Sequence, residues 1–503
     1  MRESRGIAPS CSMFLSLCCA AWLACVLAGC ALLPTTPEEP ATAIATQTDD
    51  ANAATENTRA PTLAPPPTVA PVDTPAPVRA APTSPAPLAI PLTPQSIYQR
   101  VAPSVAFVDT ATGTGSAVLV REGYLLTNGH VVWPFEAVRV VFPDGTAFDE
   151  APVVAYDLIA DLAIVGPLDV SLPPVALVGR ENLPIGSPVY TIGYPGEVEE
   201  YPQPTMAQGI LARLRQWETL NLTYLQSDTA AIGGQSGGVL LSSQGEVIGI
   251  TGLRFEDEFS LALSADDIGE RVEALLAGKS AEVGLRPLPT TGGETAHTFT
   301  LDAIGPGRDF LLDAAPDEYV EIEVWGDGDA YFIVTSPDGY VEMMEDEYID
   351  ESEEGSFVVP DEAPLLVQVG HESNSSESYT IECSHPLLPL VDPDDGASFW
   401  LDTPYWGAID HAFDTDVLRL PVVKGERVVI HVSSILADPE IDVVLAGTVE
   451  PLYETDDDSG GGVYGTDSLL VYEPPDDGTL LIAVSDATQQ GMGGYRVLVM
   501  REE

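Results

Sequence analysis

Between Thr93 and Ser280 the chain consists largely of short apolar runs separated by Gly, Pro and Asp. These runs read SAVLV, YLLTN, AVRVVF, LAIVGPL, PVYTIGY, VIGITGL and FSLALS. Short runs at this spacing, with turn residues between them, are typical of an all-β barrel or sandwich. A short helix is predicted before them in TPQSIYQRV, and a second closes the region in DDIGERVEALLAGK, where a glycine follows apolar residues at helical spacing.

A hinge, LRPLPTTGGET, leads to two halves that repeat one pattern at a spacing of about 100 residues. The first half contains EYVEIEV, SPDGY, PLLVQVG and SYTIEC, and the second contains ERVVIHV, IDVVLAG, TLLIAVS and GYRVLV. The repeat predicts a duplicated antiparallel β module. We expect one small β-sandwich at residues 291–386 and another at 391–503.

The N-terminus has the pattern of a targeting segment. Arg2 and Arg5 give it a positive start, and Met13 to Leu27 form an apolar stretch too short for an ordinary transmembrane helix. The stretch ends in LAGC, which resembles the lipobox of bacterial lipoproteins. That resemblance implies a signal peptide at 1–29 and a lipid on Cys30. A plain secretory signal followed by a chance cysteine is the alternative.

Residues 30–93 are rich in Pro, Ala and Thr and contain few aromatic or branched apolar side chains. Such a composition cannot bury enough surface to offset its chain entropy, so it predicts a disordered spacer. Once the signal has left and Cys30 carries a lipid, Cys383 is the one cysteine that remains. It cannot form an internal disulfide, and we expect it to be a small buried side chain.

The charge balance excludes whole classes of partner. The chain has 78 acidic and 20 basic residues and a formal net charge of −58. Such a chain cannot neutralise a row of phosphates, so nucleic acid is excluded and anionic membrane surfaces are disfavoured. The charge predicts a soluble, self-repelling surface, with the membrane reached by the lipid anchor only.

The segment IGGQSGGV places Ser236 among four glycines. A tight turn is one explanation, because glycine adopts positive φ without steric cost. The other is a nucleophile loop, in which missing Cβ atoms let a substrate carbonyl approach the hydroxyl and the backbone N–H groups. GYLLTNGHVV with His130 and LIADLAIV with Asp161 favour the second explanation. Acyl transfer from an amide needs a nucleophilic hydroxyl, a base of near-neutral pKa and a carboxylate that orients the base.

Six segments in a fixed order give this region a specific resemblance. GTGSAVLVREGYLLTNGHVV, ADLAIV, IGYPGE, AQGI, LQSDTAAIGGQSGG and GEVIGITG resemble the HtrA/Deg branch of the trypsin-like serine proteases. The resemblance implies a chymotrypsin-like double β-barrel at 94–283, with Ser236 as nucleophile, His130 as general base and Asp161 as orienting carboxylate. The backbone N–H groups of Gly234 and Ser236 would then form the oxyanion hole.

The same resemblance implies substrate-binding residues. Ala230 corresponds to the base of the specificity pocket and carries no charge, which implies cleavage after small or medium apolar residues. The strand near Ile250, Thr251 and Gly252 is expected to pair with the substrate backbone. The chain departs from the usual NPGNSGGP of the branch, and its extra glycine is expected to loosen the nucleophile loop. No PDZ pattern follows, so peptide sensing by PDZ domains is not implied.

The two C-terminal modules resemble the β-sandwich appendages of secreted bacterial peptidases called pre-peptidase C-terminal domains. GAIDHAFDTDVLRLPVVKGERVVIHV and GGYRVLV carry most of this likeness. Acidic residues at Asp456-Asp457-Asp458 and at Asp414 and Asp416 are candidate Ca²⁺ ligands, because Ca²⁺ takes several carboxylate oxygens. Solvated loops without a metal are the alternative, since the spacing is not that of an EF-hand. The predicted reaction itself needs no cofactor.

Together these features predict an extracytoplasmic, lipid-anchored serine endopeptidase that hydrolyses unfolded or extended polypeptides through an acyl-enzyme. The rival is a non-catalytic surface-binding or adhesion lipoprotein that keeps the protease fold as a scaffold and attaches through its sandwiches. The complete set of His130, Asp161 and Ser236 argues against that rival. No pattern in the sequence indicates the oligomeric state or the natural substrate.

Overall fold

The structure is a computed structural model that describes twelve longer ranges and two short strands of the chain. These are 91–110, 113–179, 183–196, 202–229, 233–255, 259–280, 286–287, 293–302, 306–336, 341–345, 352–360, 365–371, 376–446 and 454–502. The predicted lipid site Cys30 and the predicted pocket residue Ala230 lie outside the described residues, as do the signal peptide and nearly all of the predicted spacer. None of the helices within these ranges is long and apolar enough to cross a bilayer.

Two closed six-stranded barrels form the first part of the described chain. Barrel 1 consists of β1 (Val105–Asp109), β2 (Thr114–Arg121), β3 (Tyr124–Thr127), β4 (Ala137–Val141), β5 (Ala147–Asp157) and β6 (Leu162–Val165). Barrel 2 consists of β7 (Pro188–Gly193), β8 (Thr205–Trp217), β9 (Leu222–Ser227), β10 (Val239–Ser242), β11 (Val247–Phe255) and β12 (Phe259–Ser264). Their strand orders, β1-β2-β3-β6-β5-β4 and β7-β8-β9-β12-β11-β10, correspond strand for strand. The predicted double barrel is confirmed.

Strand β6 shows how the barrels are joined, because all four of its residues are buried. Alternate side chains of a strand point to opposite faces. Leu162 and Ile164 belong to a core that also contains Tyr190 and Ile192 of barrel 2, whereas Ala163 and Val165 belong to a separate core within barrel 1. The strand therefore faces the other barrel on one side, and the turn before it opens at the junction between the barrels.

Three α-helices are described, with bounds that follow their capping residues. They are α1 (Pro94–Val101), α2 (Gly129–Val132) and α3 (Ala265–Leu276), and a 3₁₀ turn at Ala102–Ser104 follows α1. The Thr93 hydroxyl caps α1 by accepting from the Ser96 amide, and Ser264 caps α3 in the same way through Asp266. Gly278, at φ +73°, follows α3. The helices predicted at both ends of the double barrel are confirmed.

The chain after the barrels forms two β modules. Module 1 contains β13 (Arg286–Pro287), β14 (Glu294–Leu301), β15 (Arg308–Leu312), β16 (Tyr319–Gly326), β17 (Ala330–Thr335), β18 (Val341–Glu345), β19 (Ser352–Val358), β20 (Leu365–His371) and β21 (Glu377–Val391). Module 2 contains β22 (Tyr405–Ile409), β23 (Thr415–Val422), β24 (Val428–Ser434), β25 (Pro439–Leu445), β26 (Glu454–Asp456), β27 (Ser468–Tyr472), β28 (Gly478–Asp486) and β29 (Gly493–Arg501). Each module encloses its own apolar core.

The strand pairing of the two modules corresponds throughout. Module 2 has two sheets, β22-β29-β24-β27 and β23-β28-β25-β26. In module 1 the equivalent neighbours are β14-β21-β16-β19 and β15-β20-β17-β18, but the two sets are joined into one sheet. The cause is β21, which has 15 residues and whose last part, at Leu387–Pro389, also pairs with β15. Cys383 lies within this strand and is buried and unpaired, as predicted.

Candidate active site

A histidine and a buried aspartate meet at the junction of the barrels. His130 lies in α2, directly after β3, and Asp161 occupies the turn before β6. The imidazole Nδ1 of His130 is 2.8 Å from Asp161 Oδ2, and the His130 backbone N–H donates to Asp161 Oδ1 at 2.9 Å. Asp161 is only 2% exposed and has φ +53°, a left-handed conformation that Asp adopts more readily than most residues. The aspartate therefore holds both the backbone and the ring of His130.

The electrostatics of this pair suit proton transfer. Burial lowers the pKa of His130, but the charge of Asp161 and the hydrogen bond to it act in the opposite direction, and the pKa is raised above 6.5. The imidazole remains one-third exposed, at 33%. With Nδ1 committed to a carboxylate, Nε2 is the nitrogen free to take a proton from a neighbouring group. His130 can therefore act as a base with a fixed orientation.

Asn128 joins the histidine–aspartate pair to the serine loop, and sequence reasoning missed it. Its Nδ2 donates to the Asp161 carbonyl at 2.8 Å, and its Oδ1 accepts from the Gly237 amide at 2.6 Å. The side chain is 3% exposed and makes no capping hydrogen bond to α2, although it occupies the N-cap position. A polar residue directly before the histidine helix was the available signal. Its partner in barrel 2 is not predictable from local sequence.

The backbone around Gly234 is held in one orientation by barrel 1 and a neighbouring turn. The Gly233 carbonyl accepts from the Gly196 amide at 2.7 Å, and the Gly234 carbonyl accepts from the Ser116 hydroxyl at 2.8 Å. In a trans peptide the C=O and the next N–H point in opposite directions, so anchoring the Gly233 carbonyl turns the Gly234 N–H away from Gly196. Gly234 has φ +84°, and a Cβ there would lie 2.6 Å from the Gly196 nitrogen.

Two backbone amides of this loop have no acceptor within the described chain. They are the amides of Gly234 and Ser236. The amides of Gly237 and Gly238, by contrast, are used, the first by Asn128 and the Thr251 carbonyl and the second by the Gln235 carbonyl. Paired N–H groups beside a nucleophile are what an oxyanion hole requires. The arrangement is compatible with the predicted role of Gly234 and Ser236.

The reason for glycine at position 237 differs from the one expected. Open space for a substrate was expected to explain the loop glycines, but a Cβ on Gly237 would lie 1.9 Å from the Ser116 carbonyl and 2.3 Å from the Thr127 hydroxyl. Both atoms belong to barrel 1. Gly237, at φ +80°, is therefore required because the loop that carries Ser236 packs directly onto β2 and β3.

The Ser236 hydroxyl is turned toward β11. Its Oγ donates to the Gly252 carbonyl at 3.3 Å, a long and weak hydrogen bond. Among the hydrogen bonds of the described residues, none joins this hydroxyl to His130. Catalytic contacts are often loose in unliganded enzymes and tighten with substrate. The structure thus brings His130 and Asp161 into direct contact and places Ser236 on the loop that Asn128 ties to them.

The predicted substrate-pairing strand is only partly free. Ile250 is fully buried and pairs with Val239 on one side and Leu263 on the other. Thr251 exchanges backbone hydrogen bonds with Gly237 and Gly238 of the loop that carries Ser236. These two residues therefore present no open edge, because their backbone groups are already paired. The edge opens at Gly252, whose Cβ would lie 2.8 Å from the Asn128 side chain.

A ring of three hydroxyls lies at the inner end of this site. Ser227, Thr229 and Ser260 are mutually hydrogen-bonded at 2.7, 2.8 and 2.7 Å and are almost fully buried. Each hydroxyl can donate to one member of the ring and accept from the other. Ser260 also lines a cavity of about 700 Å³ that reaches Ser236. The cavity wall is therefore polar at Ser260, and elsewhere it includes the charged residues Arg254 and Asp438 and the apolar residues Leu253, Ile435 and Leu436.

Module 2 contains one buried cluster of carboxylates. Asp392, Asp414 and Asp416 can each offer an oxygen within 4.8 Å of the others. One oxygen of Asp416 accepts from the Tyr495 hydroxyl at 2.6 Å, but Oδ1 of Asp416 and Oδ2 of Asp392 are buried and accept no hydrogen bond. Burial, followed by the charges of the neighbouring carboxylates, raises the pKa values of Asp392 and Asp416. Of the acidic residues predicted as Ca²⁺ ligands, Asp457 and Asp458 are exposed and belong to no such cluster.

Comparison with known proteins assigns the region that carries this geometry. Residues 113–250 match the family described as trypsin-like peptidase domain. These residues are therefore similar to trypsin-like peptidase domains. Serine protease HTRA1 of Xenopus tropicalis is 30% identical over 191 residues, which cover 34% of this chain and 40% of the relative. Serine endoprotease DegS of Escherichia coli (strain K12) is 33% identical over 173 residues, which cover 33% of this chain and 46% of the relative.

These comparisons cover only part of each protein. The chain spans less than half the length of the curated relatives it matches, 40% for HTRA1 and 46% for DegS. Among solved structures, "HtrA-type protease AlgW with tripeptide" covers 39% of this chain and 66% of its own length, with 29% identity and a TM-score of 0.34. The matched range contains His130, Asp161 and Ser236.

Proposed function

We propose that this protein is a serine endopeptidase in which Ser236 is the nucleophile, His130 the general base and Asp161 the carboxylate that orients the base. The double contact of Asp161 with His130, at 2.8 Å to the ring and 2.9 Å to the backbone, carries the proposal. It gives the imidazole the tautomer and raised pKa that a base needs. The free amides of Gly234 and Ser236 support their assignment as the oxyanion hole.

The reaction follows from these roles. Ser236 Oγ bonds to the scissile carbonyl carbon and passes its proton to His130 Nε2, and the carbonyl oxygen becomes an oxyanion facing the two amides. The C–N bond then breaks as His130 returns that proton to the leaving amine, which leaves an acyl-enzyme. Water repeats both steps, using His130 as base and then as acid, and releases the new carboxyl terminus. These steps need no metal or other cofactor.

The proposed substrates are extended or unfolded polypeptides, because a strand edge that opens at Gly252 can pair only with free backbone. The pocket wall is polar at Ser260, and Ala230 is the residue predicted at the base of the specificity pocket. Both favour a small residue before the cleaved bond. We also propose that the protein is held outside the cytoplasm by a lipid on Cys30. The basic start, the short apolar stretch and the LAGC sequence support this location.

Labelling with a fluorophosphonate tests the catalytic proposal directly, because the reagent needs only an activated serine and an oxyanion hole. The full chain is expected to be labelled at Ser236, and Ser236→Ala is expected to abolish the label. Ser242→Ala, which removes another hydroxyl of barrel 2 outside the site, is the control. A folded full chain without any label would instead support the binding-protein alternative.

We further propose that Asp392, Asp414 and Asp416 bind Ca²⁺ in module 2. Three carboxylates packed this closely repel one another, and Asp416 Oδ1 is buried without a donor. A hard cation that takes oxygen ligands would relieve both costs. Asp416 sits at the start of β23, where it also accepts from Tyr495 of β29, so a bound ion would stabilise contacts between the two sheets of module 2.

Thermal unfolding of the full chain tests this site. A ligand that binds only the folded state raises stability by about 2.7 kcal/mol at one hundred times its dissociation constant. Ca²⁺ is therefore expected to raise the Tm of module 2 relative to an EDTA-treated sample, and Asp416→Asn is expected to remove the difference. Asp476→Asn, an exposed aspartate of the same module, should retain it. Equal Tm values with and without Ca²⁺ in the unmodified chain would refute the site.

A further inference from the structure

Module 2 packs against the peptidase domain beside the nucleophile. Ile435 of module 2 belongs to the same apolar core as Trp217 of barrel 2. The ring of Tyr464 stacks on Phe255 with centroids 6.0 Å apart and planes 15° apart, and it meets Trp217 edge-on at 5.9 Å. The Gly494 amide donates to the Leu158 carbonyl at 3.3 Å, close to the turn that holds Asp161. Module 2 is therefore one wall of the site.

The cavity that reaches Ser236 lies between the two parts. Its peptidase wall includes Gly252, Arg254 and Ser260, and its opposite wall includes Leu436 and Tyr464 of module 2. The far wall comes from the turn between β24 and β25 and from the loop before β27. A substrate bound in this cavity therefore lies beside side chains of module 2.

The open edge of β11 has two carbonyl positions facing this cavity. The Gly252 carbonyl accepts from the Ser236 hydroxyl at 3.3 Å. Arg254 is two residues further along, and alternate residues of a strand present their backbone groups to the same edge. On its other edge, β11 pairs with β12, at Leu253 with Leu261 and at Arg254 with Ser260. Gly252 and Arg254 are thus the two successive pairing positions open to an incoming strand.

The second of these positions is occupied by module 2. The Tyr464 hydroxyl donates to the Arg254 carbonyl at 2.7 Å. The guanidinium carbon of Arg215 lies 3.5 Å from the Phe255 ring centroid, so Phe255 is contacted by both Arg215 and Tyr464. Burial raises the pKa of Tyr464 to about 12, which keeps the hydroxyl protonated and able to donate.

We propose that Tyr464 is a specificity-determining residue that limits how much extended backbone the site accepts before the scissile bond. A substrate strand running antiparallel to β11 pairs with Gly252 at the residue that supplies the scissile carbonyl, because Ser236 lies there. It would pair with Arg254 at the residue two positions earlier. Tyr464 holds that carbonyl, so only the residue directly before the cleaved bond is recognised through its backbone. Residues further from the cleaved bond on the N-terminal side are therefore expected to add little to the recognition of an extended polypeptide.

This inference rests on the proposed function, and peptides of graded length test it in the full-length protein. The set shares one small apolar residue before the cleaved bond and one fluorogenic leaving group, and extends two, three or four residues on the N-terminal side. In the unmodified protein kcat/KM is expected to change less than about threefold from two residues to four. In Tyr464→Phe, which keeps the ring stack but frees the Arg254 carbonyl, the four-residue peptide is expected to gain about tenfold over the two-residue peptide, the value of about one hydrogen bond.

Two measurements keep this test separate from the proposed function. Tyr319→Phe, at an exposed tyrosine of module 1, should keep the length profile of the unmodified protein. Fluorophosphonate labelling of Ser236 should be equal in all three proteins, because the small reagent does not use Arg254. Two results with intact labelling would overturn the inference alone. One is a tenfold gain in kcat/KM from the two-residue to the four-residue peptide already in the unmodified protein. The other is a Tyr464→Phe variant whose dependence on peptide length is unchanged. Loss of labelling in every protein would overturn the proposed function, and the inference would fall with it.

Discussion

The two barrels share one strand order but contribute different chemistry to the site. Barrel 1 supplies side chains, His130 and Asp161, from the segments that follow β3 and precede β6. Barrel 2 supplies a hydroxyl and backbone groups, at Ser236 and Gly234, from the loop before β10. The site thus lies at the junction of two barrels that each have a core of their own and also share one. Substituting residues of each barrel in turn tests how much each barrel contributes to peptide hydrolysis.

Disrupting the barrel 1 contribution is expected to give the largest loss of kcat. Asp161→Asn keeps the shape of the side chain but removes the charge that orients His130 and raises its pKa. In proteases with this arrangement such a change lowers kcat by about 10⁴-fold. We expect a loss of that size in peptide hydrolysis by the full chain, with the circular dichroism spectrum unchanged. A loss below tenfold would mean that the contact is structural only.

Asp149→Asn is the matched control for that change. Asp149 is an aspartate of barrel 1 that is largely exposed and contacts Arg139 rather than the site. Exposed ion pairs contribute little to stability, so this variant is expected to hydrolyse peptides at the unmodified rate.

Disrupting the barrel 2 contribution is expected to give a smaller loss of kcat. Gly234→Ala forces a side chain into a position at φ +84° where its Cβ would lie 2.6 Å from the Gly196 nitrogen. The peptide that presents the Gly234 N–H must then rotate or shift. Loss of one oxyanion donor costs about 10²- to 10³-fold in kcat, and we expect a value in this range from steady-state kinetics.

Position 233 provides the comparison within the same loop. A Cβ on Gly233 would meet no atom within 4 Å, and the carbonyl that accepts from Gly196 is retained in Gly233→Ala. Its kcat is expected to stay within a few-fold of the unmodified protein. Equal losses at 233 and 234 would indicate that the loop responds to any substitution and that the amide of Gly234 has no special part.

The sequence predicted each barrel better than it predicted the junction between them. His130, Asp161 and Ser236 lie in short segments whose residue types carry their own chemistry, and the strands around them follow local apolar patterns. Asn128 contacts Gly237 across 109 residues, and Tyr464 contacts Arg254 across 210. No local pattern specifies such partners, because they depend on how complete domains pack.

The same limit explains the strand that was expected to bind substrate. Apolar character placed Ile250, Thr251 and Gly252 on one strand, which is correct. Only the pairing of β11 with β10 and with the loop that carries Ser236 determines where its edge becomes free. Register between distant strands therefore decided which residues remain for a substrate.

Removing the Asn128 side chain, which connects the two barrels, is expected to give a moderate loss of kcat. Asn128→Ala leaves the Asp161 carbonyl and the Gly237 amide without this partner, although Gly237 retains the Thr251 carbonyl. Buried hydrogen bonds of this kind contribute about 1 kcal/mol each, so kcat is expected to fall about 10- to 100-fold while KM changes little. Asn221→Gly, which removes an exposed amide at φ +53°, is the control for loss of an asparagine side chain. An unchanged kcat in Asn128→Ala would show that the barrels align without this residue.

The pH dependence of kcat/KM should distinguish the role of Asn128 from that of the His130–Asp161 pair. This is the smallest expected effect, about a tenfold change in kcat/KM per pH unit. In the proposed mechanism His130 must be neutral to accept the serine proton, so kcat/KM is expected to fall as the pH drops through the His130 pKa. That pKa is above 6.5 because Asp161 outweighs burial. In Asp161→Asn burial acts without the opposing charge, so the midpoint of the acid limb should move to lower pH. In Asn128→Ala the 2.8 Å contact between His130 and Asp161 remains, so the midpoint should stay where it is even though the rate is lower. If the midpoint shifted as far in Asn128→Ala as in Asp161→Asn, Asn128 would also be needed to maintain the contact between His130 and Asp161.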